Sequence, residues 1–258
     1  MAAWTAFPQT SDFPFTAASV KKHWAQLHAG DCEPCPSDKK ALEAWALFHS
    51  GQFEQATATG LAAGNAGVVA ANKAQAIYAT YLEPKEKVRL EMFQAIAERA
   101  QALTESEPGN ANAWYQVAYA LGRYSQGISV AKALAQGLGQ KIKQALEQTL
   151  ALAPDHAEAH IALGAFHAEV IDKVGALIGG MTYGAKKDLG LKHFKEALRL
   201  RPDSAIAKIE YANALVMLDG DKKMKEATAL YEQAAASVPQ DAMEFLDVEL
   251  ARAELSDD

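Results

Sequence analysis

The chain has 258 residues, 50% of them hydrophobic and 22% charged, an ordinary globular composition that excludes a disordered polymer. Lys+Arg number 25 against Asp+Glu 32, a formal charge of -7, so the basic footprint that nucleic-acid binding needs is absent. Two cysteines exclude a disulfide scaffold.

In chain order, residues 1–20 carry no Lys or Arg, are broken by Pro8 and Pro14 and lack an apolar run, so no secretory signal is expected. The uncharged runs around Gly60–Asn72 and Val174–Ala185 fall short of the about 20 residues of a membrane span. The expectation is therefore a cytoplasmic protein without stable membrane insertion. Trp4, Phe7, Phe13 and Phe15 lie among the prolines and read as an extended arm laid on the body. Ala17–Ala29 reads as a short helix, which completes an N-terminal segment over residues 1–36.

From residue 37 to 239 nearly every segment has helical periodicity, and no alternating strand stands out. Ser37-Asp38 starts a helix that Gly51 ends, and Pro84 opens another. Pro108, Pro154, Pro202 and Pro239 each close one apolar-periodic stretch and precede the next. Ten positions after the first three stand Ala118, Gly164 and Ala212, each among larger apolar residues. Preceding helices match as well: Phe194, Ala197 and Leu200 before Pro202, and Ala227, Tyr231 and Ala234 before Pro239. Residues 240–258 read as an acidic amphipathic capping helix and tail.

This pattern resembles the tetratricopeptide repeat (TPR) superfamily, most clearly over Leu191–Asp203. The resemblance implies an all-α solenoid of about five helical hairpins, in which small residues let neighbouring helices nest. Pro108 to Pro154 spans 46 residues and Pro154 to Pro202 spans 48, against a family unit of about 34. The surplus falls around Ser125–Gly139 and Lys173–Ala185, both glycine-rich and helical in pattern. Two such enlarged hairpins are similar to the regulator of microtubule dynamics group and, more loosely, to the T-component proteins of TRAP transporters.

Chemistry-bearing clusters have bland readings beside them. His23, His28, Cys32 and Cys35 combine a C-x-x-C with two histidines, the donor types of a zinc or redox site. Yet the histidines diverge on a helix, and Pro34 and Pro36 mark a surface linker. His156 and His160 stand four apart, but not in the zincin order, and His160 and His167 occupy packing positions. Gln136–Lys141 lacks the end of a phosphate loop, Glu169 and Asp172 are an everyday helix pair, and no G-x-S-x-G is present. No catalytic residue, metal or cofactor is expected.

What remains is a binding surface. The resemblance places the first helix of each hairpin on a concave groove, lined by Trp45 and Phe48, then Tyr115, Tyr119 and Arg123. The row continues through Ile161, Ala165 and Glu169 to Ile209, Asn213 and Met217. The expected partner is a protein or peptide segment. The family's Lys/Asn carboxylate clamp is absent, with Tyr115 and Tyr119 in its place. An alternative has the insertions fold over the groove and close a pocket for a small apolar ligand. The small-residue seams at Gly127, Ala131, Ala135 and Gly139, and at Gly175, Gly179, Gly180 and Gly184, could pack on each other or join two copies of the chain.

Overall fold

A computed structural model describes residues 4–256, and among these there is no strand. They form two compact units. The first takes Met1–His28, Cys32–Ala153 and Gln240–Met243; the second takes Ala29–Asp31, Pro154–Pro239 and Glu244–Asp258. The division at Pro154 falls inside the stretch that the sequence reads as one repeat domain. Periodicity records hairpins, and the hairpin repeat runs on through Pro154.

In the first unit, α1 (Ala17–Lys22) and α2 (Trp24–Leu27) replace the single short helix expected, with a break at His23. Three hairpins follow. They are α3 (Lys39–His49) with α4 (Phe53–Ala62), α5 (Asn65–Tyr81) with α6 (Glu86–Ser106), and α7 (Ala111–Gln126) with α9 (Leu138–Leu152). The insertion before α9 carries α8 (Val130–Ala135). The core is aromatic at its N-terminal end, where Phe7, Trp24, Trp45, Phe48 and Phe53 are all buried. The arm is held there: Phe7 sits edge-on to Phe53 at 6.1 Å, and Trp4 stacks on Tyr78 at 4.0 Å. Gly51, at φ +77°, has no room for a side chain, because a Cβ would lie 2.2 Å from the Phe7 ring.

The second unit holds two hairpins, α10 (Ala157–Val174) with α12 (Lys187–Leu200) and α13 (Ala205–Asp219) with α14 (Met224–Ala235). Its insertion carries α11 (Ala176–Tyr183), and α15 (Ala242–Ser256) follows α14. Phe194 is fully buried among Ile161, Ala197, Ala207 and Tyr211. Ala205, Ile209, Ala234, Val248 and Ala251 form a second cluster, in which α15 covers the last hairpin.

One device starts these helices repeatedly. Asp38, Asn110, His156 and Ser204 each stand two residues after a proline and accept a hydrogen bond from the backbone three residues on, at 2.9–3.2 Å. A histidine in that role, through Nδ1, is the unexpected member. The seams also have a defined use. A Cβ on Gly127 would stand 2.6 Å from Leu90, and one on Gly179 would stand 2.9 Å from Val170. Each glycine thus lets an insertion lie against a helix of its own unit.

Candidate functional site

On α10 and α13, helical geometry explains where the groove residues fall. A step of four residues turns a helix by about 400°, so a row at i, i+4, i+8 drifts by about 40° per step. Along 161–165–169 the row begins at Ile161, buried in the core, passes half-buried Ala165 and ends at Glu169, partly exposed. Along 209–213–217 it runs from buried Ile209 through Asn213 to exposed Met217. Ile161 and Ile209 therefore belong to the core and do not line an open face. The same holds for Trp45 and Phe48, which are buried within the aromatic cluster.

On α7 the row is brought together. Tyr115, Tyr119 and Arg123 are all half-buried. The two tyrosine rings lie 6.0 Å apart, and the Arg123 guanidinium sits over the Tyr119 ring at 5.3 Å. Thr80 donates its hydroxyl to the Ala76 carbonyl, so the Tyr119 hydroxyl donates to Thr80 at 2.9 Å. Phe93 meets Tyr119 edge-on at 6.5 Å. Tyr119 is thereby fixed at both ends, and Arg123 is held in a cation–π contact worth about 0.5–1 kcal/mol at such a site.

In the second unit the residues are separately engaged. Glu169 pairs with Lys173 at 3.5 Å, and Asn213 accepts a 2.6 Å hydrogen bond from Tyr231. On α11 the side chains of Leu177 (76%), Ile178 (58%) and Met181 (82%) are exposed.

A cleft of about 360 Å³ lies between α6 and the first insertion, open to solvent. Leu90, Tyr124 and Ile128 supply its apolar surface, and Glu86, Glu91, Lys87 and Lys132 supply charge of both signs. Lys132 lies over the Tyr124 ring at 5.7 Å.

Cys32, Cys35 and His23 are exposed and His28 is buried, so that foursome is split between surface and core. Among the described residues no three His, Cys, Asp or Glu side chains gather into a metal-binding set. His28 belongs instead to a network that the sequence reading missed. His49 contacts Asp241 at 2.6 Å through Nδ1 and His28 at 3.3 Å through Nε2, with all three residues buried. His28 is also stacked on Trp24 at 4.0 Å. Burial holds His49 below its usual pKa, against the opposing hydrogen bond and charge of Asp241. Nothing local marks such a network, since His49 and Asp241 stand 192 residues apart. A second network joins Arg99 to Asn72 (2.8 Å) and Gln75, and Asn72 to Gln116 (3.1 Å).

His160 and His167 pack as expected, with His193 between them in ring contact at 5.1 and 6.1 Å. Burial, then the neighbouring His160, His167 and Lys192, pull the His193 pKa down to about 4.

Each unit is thus a set of packed helical hairpins, with the small residues Ala118, Gly164 and Ala212 buried in α7, α10 and α13. No protein-family model matches the chain, and no curated protein matches its sequence. Among solved structures, a thermophilic TPR protein of Thermus thermophilus is similar with a TM-score of 0.58. The match covers 83% of this chain and 97% of that one, at 15% identity, and shows the fold. No described helix is long and apolar enough to cross a membrane.

Proposed function

We propose that the protein is a non-catalytic scaffold that holds a protein or peptide segment against the first helices of its hairpins. The observation that carries this reading is the Tyr115–Tyr119–Arg123 row, two tyrosines and an arginine presented half-buried on one helix face. Tyr and Arg are the residue types that dominate binding energy at such surfaces. Tyr115 and Tyr119 would supply apolar burial and stacking, and Arg123 would pair with an acidic side chain or terminus of the partner. In the second unit Glu169, Asn213 and Met217 are the contacts this reading assigns. The enlarged hairpins keep the likeness to the regulator of microtubule dynamics group within the proposal, without any inference about tubulin. The test is a pull-down of interacting proteins with Tyr119→Ala/Arg123→Ala beside the wild type. Loss of a specific partner at unchanged helicity supports the reading, and full retention refutes the named surface.

The cleft beside α6 favours a second reading, a small amphipathic ligand seated under the first insertion, since binding cavities start at about 300 Å³. Native mass spectrometry of gently purified protein separates the two. A co-purifying small molecule supports the cleft, and bare chain or bound polypeptide supports the scaffold.

A further inference from the structure

The histidines of the fourth hairpin support an inference independent of the binding surface. His160 lies on α10 and His193 on α12, both half-buried, with their Nδ1 atoms 2.8 Å apart. The Pro154 carbonyl can only accept, so the 3.0 Å contact with His160 Nε2 places a proton on that nitrogen. This leaves the lone pair of His160 on Nδ1, aimed at the His193 ring. A backbone carbonyl that fixes the far nitrogen of an imidazole is the usual outer support of a metal-ligating histidine. The His193 ring is backed by His167, stacked on it at 20°. His167 is in turn held by the Lys186 backbone N–H at 3.4 Å.

We propose that His160 and His193 form a two-imidazole site for a borderline divalent cation such as Zn2+, completed by water on the open side. Binding moves the Nδ1 proton of His193 to its Nε2, so that both Nδ1 lone pairs face the ion. Two nitrogens on a tetrahedral zinc ion stand about 3.4 Å apart, given bonds of about 2.0–2.1 Å. The rings therefore have to open by roughly 0.6 Å, a shift that two half-buried side chains on separate helices can make. Glu196, one turn beyond His193, is not counted as a ligand, because Arg199 already holds it with bonds of 2.6–3.1 Å. A bound ion would cross-link α10 and α12 and stabilise the second unit by mass action. Imidazole ligands suit Zn2+, Ni2+ and Cu2+ and disfavour Mg2+ and Ca2+.

The test uses the full chain with Cys32→Ser and Cys35→Ser, so that thiols do not compete, stripped with chelator and titrated calorimetrically with zinc chloride alone. One ion per chain is expected. His160→Gln and His193→Gln should each weaken binding about tenfold or more, while His23→Gln leaves it unchanged. No binding, or binding indifferent to both glutamine variants, overturns the proposal. If a variant loses helicity, nitrogen NMR of the chain with its native histidines decides. Zinc must shift the Nδ1 signals of His160 and His193, and shifts confined to other histidines overturn the assignment.

Discussion

Glycine-to-alanine substitutions at two helical sites should move stability in opposite directions. Gly122 lies in the interior of α7, and a Cβ there meets nothing within 4 Å. Gly122→Ala should therefore stabilise the chain by about 0.5–1 kcal/mol, the intrinsic helix preference of alanine. Gly164 lies inside α10, where a Cβ would stand 2.6, 2.8 and 2.8 Å from three carbons of the Phe194 ring. Relief to an ordinary contact of about 3.5–4 Å needs a shift of roughly 1 Å. The ring has nowhere to go, being fully buried and stacked on Tyr211 at 5.3 Å. Overpacking of this kind costs about 1–3 kcal/mol. The same propensity gain offsets part of it, leaving Gly164→Ala destabilised by about 1–2 kcal/mol. Urea titration followed by circular dichroism measures both variants. In a Phe194→Leu background the Gly164→Ala penalty should shrink or reverse, because the clashing ring is gone. The nesting argument fails if Gly164→Ala raises the urea midpoint as Gly122→Ala does.

Other substitutions probe the remaining features. Asp241→Ala strips the buried His49 of its carboxylate and should cost about 1.5–3 kcal/mol in denaturant titrations, the range for a hydrogen bond to a charged group. Because burial lowers the folded pKa of His49, its unfolded form, with a pKa near 6.5, binds protons first. The neutral ring's contribution is thus complete above about pH 6.5 and declines as pH falls below it; His49→Gln should flatten this part of the stability–pH curve. His156→Ala removes the cap of α10 and should cost about 1 kcal/mol or more in denaturant titrations, with His156→Asn recovering part of it. Leu177→Lys and Met181→Lys alter only exposed positions of α11 and should leave the melting profile within about 0.5 kcal/mol of wild type.

How much of this was legible in the sequence follows from the range of each interaction. The prolines at 108, 154, 202 and 239 mark turns through local backbone chemistry, and the turns stand where the spacing predicts. Small residues ten positions on are legible because nesting constrains volume: Ala118, Gly164 and Ala212 are all buried. The insertions are legible as surplus length, and their helices α8 and α11 lie within the predicted ranges. The resemblance puts Ile161 and Ile209 on the groove, and both are buried in the core, because packing against neighbouring helices, which position in a repeat does not record, decides which side chains are covered. Only the α7 row keeps its three members half-buried. His49 and Asp241 lie outside any local pattern, since their pairing depends on tertiary packing over 192 positions.

The histidines show what distinguishes packing from chemistry in such a fold. His156 caps α10 and His160 and His167 lie along it, yet the three do different things. His156 turns Nδ1 back onto its own helix as a cap. His167 accepts from the Lys186 backbone and fills the seam beside Gly190, where a Cβ would stand 3.0 Å from its own Cβ. His160 holds its Nε2 to a carbonyl and points its other nitrogen at a second imidazole. In the first two, one nitrogen accepts from a backbone N–H, and the side chain is committed to the fold. In His160 the lone pair meets a group that can exchange its own proton between two nitrogens. That difference, and not the four-residue spacing of His156 and His160, makes the His160–His193 pair a place in the second unit where an ion can enter without undoing a helix.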